Sequence, residues 1–510
     1  MPTEIELKLA VAPRALEQLA REACAHALAP PSTEQLTTEY YDTARHALWR
    51  EGLTLRLRRT PRGWWQGVKG GGSVEAGLHR RLESETRVPG PGPELARVAD
   101  LDLAAAVRRA IGRAALELVF RTEFTRRTCR VSPAQGSVIA LCFDRGSVRT
   151  AAHQHAICEL ELELEQGPAW RLYELALDLE RQARVRIEQR SKAERGYALA
   201  GAGRSGPLKL MHGAVRGPMS ALEAFRAICF GCLAHLEANR AGMLADRDAE
   251  YLHQMRVALR RLRSAFSVFS RLLPKPATKP PLAEIRWLAR ALGPARDWDV
   301  FLATRLGPVM ARHPGHAGLA ALQRACARER EAAQRAAGRA VTSRRYQRLL
   351  LGLGAWLTGE SWASLLPLEA ARELRQPVMG YASAALERRY RQASRRGHGV
   401  AGLDAAELHR LRIAVKKLRY PATFFAPLYP AQGETAMRRA LAALQDALGQ
   451  ISDCSAAERL LGAAHRRARG ALLAEARLLV VRANDAARAA QRRRLKAVWT
   501  AFRAARRFWE

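Results

Sequence analysis

Glu4, Glu6 and Lys8 alternate with Ile5, Leu7 and Leu9 in the stretch EIELKL. In a strand this spacing puts two carboxylates and an ammonium on one face and an apolar row on the other. The pattern recurs: Arg56 and Arg58 share a face, Glu83 and Glu85 share one, and Glu159, Glu161, Glu163 and Glu165 share one. Acidic rows and cationic rows stand on different strands, whereas a solvated outer sheet face, which gives the same alternation, usually mixes polar types. Carboxylates hold hard divalent cations such as Mg²⁺ through oxygen, and Arg and Lys grip phosphate oxygens. Strands closing with these faces inward would line one lumen with both. Phosphoryl transfer asks for little more than such positioning, charge neutralisation and an in-line water.

A second constellation is helical. His253, Arg256, Arg260 and Arg263 fall within a sector of roughly 80° at helical spacing, beside an apolar sector of Met255, Leu259, Leu262 and Phe266. His409, Arg412, Lys416 and Arg419 repeat the stripe, and neither copy interleaves the acidic partners that a solvated helix usually carries. Gly293 and Asp297 recur as Gly449 and Asp453, and each of these pairs, like His253 and His409, is 156 positions apart. Constant spacing over three landmarks argues for a duplicated helical unit. Arginine forks, mobile lysine charges and a histidine suit a long phosphate chain.

The elements that must position these residues divide the chain. Residues 1–200 read mostly with period two, in EIELKL and at 53–59, 81–88, 122–131, 137–146 and 157–165, with helical stretches at 13–28 and 168–185 that could cover the apolar side. Residues 201–219, rich in Gly, read as a linker. From 220 to 510 the texture is Ala, Leu and Arg with 3.6-residue periodicity, broken at 274–281 and near 314, 400 and 429. An all-α bundle in two pseudo-repeats, about 220–370 and 371–510, is expected. The whole is α+β multidomain: an N-terminal closed antiparallel β tunnel with flanking helices and a C-terminal all-α duplicated helical bundle.

The 510 residues carry 84 Lys and Arg against 49 Asp and Glu, a formal net charge of +35, so a polyanionic partner is expected. Eight scattered cysteines suggest reduced thiols and a cytoplasmic setting. Cys229 and Cys232 form a C-x-x-C that reads as two core residues on a helix rather than a zinc or redox site. The N-terminus enters charged alternation directly, so no leader is expected, and LLLGLGAWLTG at 349–359 is too short to span a bilayer. The KGGGS at 69–73 lacks the Walker spacing and reads as a hairpin tip.

Two resemblances sharpen this. E-x-E-x-K at 4–8, YYDT at 40–43, LRLR at 55–58, Lys69, GLHRRLESE at 77–85, F-x-T-x-F-x-R ending at Arg126, Asp144, CELELELE and SKAERGY at 191–197 resemble the CYTH, or triphosphate tunnel metalloenzyme, family. That implies a tunnel binding a triphosphate with Mg²⁺ or Mn²⁺ and hydrolysing its terminal phosphoanhydride. Glu4, Glu6, Asp144 and Glu159, Glu161 or Glu163 would stand on the metal side, the four-glutamate row leaving open which of its members ligate. Lys8, Arg56, Arg58, Lys69, Arg126 and Lys192 would stand on the phosphate side, and Lys8 with Glu83 or Glu85 would serve catalysis, the glutamates balancing charge or orienting water. H-x-x-R-V/I-A-x-R/K-R/K-L-R followed by L-G-x-x-x-D resembles the conserved-histidine α-helical, or CHAD, family, which is associated with inorganic polyphosphate. The resemblance implies a polyphosphate site at His253, Arg256, Arg260, Arg261, Arg263, His409, Arg412, Lys416, Lys417 and Arg419; Arg296 has no equivalent, Ser452 standing in its place. The expected function is an inorganic triphosphatase with a polyphosphate-binding module that could localise it on granules of that polymer. Another organic triphosphate (thiamine triphosphate or a nucleotide), adenylate cyclase activity, and a nonenzymatic polyanion scaffold are the alternatives. Neither nucleic acid as a specific partner nor a membrane is expected.

Overall fold

The computed structural model describes residues 4–60, 63–75, 77–134, 136–203, 206–209, 215–245, 248–467 and 471–510. The chain forms two compact units, Met1–Gly206 with Arg344–Ser361, and Pro207–Ser343 with Trp362–Glu510. Chain order and units therefore differ at one segment, which the boundaries read from the sequence do not anticipate.

In the first unit nine strands form one sheet: β1 (Glu4–Val11), β2 (Ser32–Asp42), β3 (Thr54–Thr60), β4 (Gly63–Glu75), β5 (Leu78–Val88), β6 (Glu117–Val131), β7 (Val138–Arg149), β8 (Gln154–Gln166) and β9 (Val185–Ile187). Their order is β5-β4-β3-β2-β6-β7-β8-β1-β9, neighbouring strands run antiparallel, and β1 pairs also with β5, from Glu4 opposite Arg81 to Leu7 opposite Leu78. That pairing closes the sheet into the expected tunnel, with β9 taking the same edge of β1 beyond the end of β5. Closure removes the exposed edges that an open sheet of this size would have to protect. The KGGGS stretch lies inside β4 rather than at a hairpin tip, with a register irregularity between Gly70 and Gly72. A Cβ at Gly70 would come within 2.4 Å of Leu53, so glycine lets β4 pass under that side chain.

Helices α1 (Pro13–Ala25), α2 (Ala47–Arg50), α3 (Leu101–Ile111), α4 (Trp170–Gln182) and α5 (Lys192–Tyr197) complete the first part of the chain. Pro13 starts α1, where its missing N–H costs nothing, and Asp100 caps α3 by accepting from Leu103 N–H. Helix α4 lies against β1 and β8, on the side of Leu7, Leu9, Leu160 and Leu162, all fully buried. Helix α5 is fixed by a capping box between Ser191 and Glu194. Its Ala193 and Tyr197 join Leu36, Tyr40, Phe120 and Phe124 in one apolar cluster. Gly196 is required there: a Cβ would lie 2.1 Å from the Phe120 ring. The helix Arg344–Gly359, from far along the chain, packs on α4 and β9 in this same unit.

The second unit is helical: α6 (Ala221–Ala238), α7 (Arg240–Ala245), α8 (Ala249–Val268), α9 (Lys275–Phe301), α10 (Gly307–Arg312) and α11 (Ala317–Val341) precede α12 (Arg344–Gly359), which belongs to the first unit; α13 (Leu368–Arg375), α14 (Val378–Arg396), α15 (Ala405–Phe425), α16 (Ala431–Arg467) and α17 (Ala471–Ala504) follow. The duplication extends to the elements. Ala249 and Ala405 start α8 and α15, Lys275 and Ala431 start α9 and α16, and Asp248 and Asp404 are the equivalent N-caps, all at the same 156-residue offset. The proline run expected to break the helices instead opens α9, with Pro280 and Pro281 inside its early turns. Cys229 and Cys232 are core residues of α6, and burial pushes both thiols up, Cys232 to about 11. No helix among the described residues is long and apolar enough to cross a membrane.

Candidate functional site

Register brings the alternating charges of the first unit together. Glu6 stands opposite Glu163 and Lys8 opposite Glu161, while Glu159 stands opposite Asp144, which in turn stands opposite Arg126. On the other strands Tyr40 and Gly67 flank Arg56, Thr38 flanks Arg58, and Lys69 stands opposite Glu83. Because side chains alternate with period two, a one-residue slip in any pair would turn these groups to the outside.

The six carboxylates expected on the metal side fall into two trios: Glu4, Glu6 and Glu163, and Asp144, Glu159 and Glu161, each offering oxygens within 4.8 Å of one another. The second trio is buried and densely countered. Lys192 Nζ lies 2.6 Å from Asp144 and 3.0 Å from Glu161 and also meets Glu159; Arg126 donates twice to Asp144 at 2.7 and 2.8 Å and reaches Glu161; Lys8 meets Glu161; Arg195 meets Glu159. Burial alone would raise Glu161 and Glu159, but Lys192 and the neighbouring cations hold both below the usual carboxylate range. Burial would likewise depress Lys8 and Lys192, and the surrounding carboxylates instead hold both firmly protonated.

The first trio is less compensated. Lys8 lies 2.6 Å from Glu6, Lys69 2.7 Å from Glu4, and Arg126 3.2 Å from Glu163. Burial, with the charges of Glu161, Glu6 and Glu4, pushes Glu163 above its ordinary value despite Arg126. An all-oxygen set of three carboxylates, with Glu163 crowded by like charge, fits a hard divalent cation.

Lys69 Nζ also lies 2.9 Å from Glu83, and Arg56 bonds Glu83 and reaches Glu85 at 3.3 Å. Burial works to raise Glu83, yet Arg56 and Lys69 hold it at about 2. The Arg56 guanidinium lies over Gly67, where a Cβ would come within 2.8 Å of it. Arg58, whose side chain donates to Thr38 Oγ1 at 3.3 Å, is pushed down to about 10 by Arg56 first and burial second. Two crowded guanidiniums on β3 make an anion-seeking wall.

Sequence reasoning missed Arg195, although its spacing from Lys192 in SKAERGY puts both on one helical face. It also left Asp42 without a role. That fully buried carboxylate accepts from the N–H groups of Thr43, Leu48 and Trp49 and from the Tyr197 hydroxyl, tying α2 to α5.

In the second unit the equivalent pairs have equivalent geometry: Arg256 lies 3.9 Å from Asp297, and Arg412 lies 3.8 Å from Asp453. The two stripes form one field. Burial first, then Arg412, Arg260 and Arg256, pushes Lys416 down to about 8. Burial and Arg296, with Arg260 and Arg256, push His253 down to about 4, so it is neutral at pH 7. A cavity of about 380 Å³ is lined by Arg256, Arg260, Arg263, Arg286 and Arg290 with Leu259 and Ala289. Arg286 and Arg290 were not anticipated, because the second copy has Ala442 and Asp446 at their equivalents and the repeat comparison passes over them.

Arg261 and Lys417 lie apart from this field, since each follows a stripe residue by 100° around its helix. Arg261 reaches Cys232 and stacks 5.0 Å from the Phe424 ring, whereas Lys417 faces Arg389 and Arg396. His409 is exposed near the start of α15, and Arg419 is half-buried one turn beyond Lys416.

Residues 2–197 match the family model of the CYTH domain and residues 227–462 that of the CHAD domain. An inorganic triphosphatase from Haemophilus influenzae is 29% identical over 206 residues, a match covering 39% of this chain and 55% of that protein. The chain thus spans about half the length of that curated relative. The crystal structure of the CHAD domain from the plant Ricinus communis is 34% identical with a TM-score of 0.52, the match covering 59% of this chain and 98% of that one.

Proposed function

The chain belongs to the CHAD family through its C-terminal half and carries a CYTH domain ahead of it, and from that premise we propose that it is a metal-dependent inorganic triphosphatase whose helical unit binds inorganic polyphosphate. The division of charge inside the tunnel carries the reading: Arg58 on β3 is crowded by Arg56, and the carboxylate trio on β1 and β8 includes Glu163, crowded by Glu161, Glu6 and Glu4. A triphosphate brings an anion to Arg58, and a divalent cation satisfies the trio.

Arg56, Arg58, Lys69, Arg126, Lys192 and Lys8 hold the phosphates. Glu4, Glu6 and Glu163 hold Mg²⁺ or Mn²⁺, with Asp144, Glu159 and Glu161 as the deeper acidic cluster. When bound, the cation neutralises phosphate charge and favours attack by water. Glu83 stays ionised between Arg56 and Lys69 and balances their charge. Glu85, with the more accessible carboxylate, orients water. In the helical unit the five-arginine cavity and the adjoining Arg412 and Lys416 receive the polyphosphate.

Phosphate release from triphosphate, ATP, thiamine triphosphate and long polyphosphate, with and without Mg²⁺, tests the activity. Metal-dependent release from triphosphate, lost in Glu6→Ala, is expected. No release from any substrate, with Glu6→Ala behaving like the parent, overturns the enzyme reading and leaves a polyanion-binding scaffold.

A further inference from the structure

Helix α12 is encoded beyond residue 340 yet forms part of the tunnel unit. Its attachment is specific. Arg344 Nε lies 2.6 Å from one carboxylate oxygen of Glu180 on α4, Arg348 Nε lies 2.5 Å from the other, and Arg344 also donates to the Glu180 carbonyl. Glu180 is fully buried, so these two guanidiniums are what make its charge tolerable. Tyr346, Leu350, Leu351, Leu353 and Leu357 are buried, and Gly354 passes so close to Tyr173 of α4 that a Cβ would lie 2.2 Å from its ring.

One contact reaches further. The buried Gln347 side-chain carbonyl accepts from Ile187 N–H of β9 at 3.1 Å. Ile187 stands opposite Leu9 of β1, and Glu188 N–H donates to the Lys8 carbonyl at 2.9 Å. Strand β9 is three residues long and pairs only with β1 among the described strands, so its other side depends on this helix. Strand β1 carries Glu4, Glu6 and Lys8.

We propose that α12 is a brace of the tunnel: through Gln347 on β9 and through Arg344 and Arg348 on Glu180, it positions strand β1, so that the hydrolytic unit is assembled from two separated stretches of chain. Gln347 and Glu180 are positioning residues, acting through β9 and α4. This inference rests on the triphosphatase reading for its kinetic consequence but not for its structural one.

The test uses the full chain with Gln347→Leu, which removes the acceptor, and Gln347→Glu, which keeps one. Amide hydrogen exchange is followed in β1 and, as the internal reference, in β3, alongside triphosphate hydrolysis. In Gln347→Leu the β1 amides are expected to exchange on the order of tenfold faster with β3 unchanged, and kcat to fall roughly three- to tenfold at unchanged KM. Gln347→Glu is expected to keep the parent's ratio of β1 to β3 exchange, because the acceptor for Ile187 N–H remains, even where the buried carboxyl lowers global stability. If Gln347→Leu does not yield folded protein, Arg348→Ala, at the half-exposed end of the same brace, is measured in its place. Exchange in β1 equal to the parent, or a rise shared equally by β1 and β3, overturns the brace. A parent that hydrolyses no triphosphate overturns the activity reading instead, and the exchange comparison then decides the brace alone.

Discussion

Phe269 and Phe425 stand 156 positions apart in the sequence and meet ring to ring, with centroids 6.0 Å apart and planes inclined at 67°. Residues related by a duplication touch only where the two copies adjoin their common axis, so this pair marks the seam of the repeat. Both rings are fully buried. Phe269→Ala and Phe425→Ala should each cost about 3–5 kcal/mol. The double variant should cost less than the sum, because the two truncations share one cavity. Chemical denaturation of the helical unit, read by far-ultraviolet circular dichroism, checks both statements.

The repeat is symmetric in its scaffold and asymmetric in its charge. Arg286 and Arg290 line the cavity of the first copy, whereas the second copy has Ala442 and Asp446. Removing Arg286 and Arg290 together should weaken polyphosphate binding roughly tenfold at low salt and flatten its salt dependence. Asp446→Ala should act in the opposite direction. Fluorescence anisotropy of labelled polyphosphate at two ionic strengths measures both.

Lys416 gives the binding a pH signature. Its value of about 8 in the free protein lies below the ordinary lysine range, because burial and the Arg412, Arg260 and Arg256 charges oppose protonation. A bound polyanion favours the ammonium, so binding above pH 8 takes up a proton and weakens as pH rises. For stability the sign is the reverse. The folded state holds fewer protons than the unfolded chain between pH 8 and the ordinary lysine value, so unliganded stability from this group rises over that window. In Lys416→Met both dependences should diminish, measured by isothermal titration at pH 7 and 9 and by melting over the same range.

Divalent cation should stabilise the tunnel through the trio of Glu4, Glu6 and Glu163. Chelation with EDTA should abolish triphosphate hydrolysis, and Mg²⁺ or Mn²⁺ should restore it. Glu163→Gln should raise the metal concentration needed by about tenfold or more and remove most of the metal-induced rise in melting temperature. Glu165→Gln, whose parent carboxylate pairs with Arg130 at the exposed end of the row, should leave both unchanged.

Gly196→Ala should displace α5 from Phe120 and carry Lys192 and Arg195 with it. Activity is expected to fall by at least tenfold together with a destabilisation of about 1–3 kcal/mol. Melting and steady-state hydrolysis on the same preparation report the two effects.

Much of this architecture is legible in the sequence because its signals are local. The alternation of EIELKL and CELELELE assigns faces, and an offset of 156 residues assigns a duplication. What the sequence does not reveal depends on pairing across the fold. Strand β4 is obscured by its glycines, whose role is to let Leu53 and the Arg56 guanidinium lie close to the backbone. Arg195 is overlooked in a motif read for its lysine. The division of the six carboxylates into two trios comes from register between β1, β7 and β8, which no single strand encodes. LLLGLGAWLTG reads only as too short for a bilayer; its apolar run belongs to a helix buried in the tunnel unit, and no local pattern assigns that helix to strands encoded earlier.

Helix α12 also sets a schedule for biosynthesis. When residue 206 has been translated, every strand of the ring exists, but Glu180 lacks both of its counter-charges and Ile187 its acceptor. They arrive only with residues 344–348, roughly 140 codons later, which at about 5–20 residues per second is a delay of roughly 7–30 seconds. Throughout that interval the nascent tunnel presents an apolar surface and a buried-charge site awaiting its partner. Synonymous changes that slow the ribosome between these points should therefore lengthen the exposure of the first unit to chaperones and proteases, without altering a single residue of the finished protein.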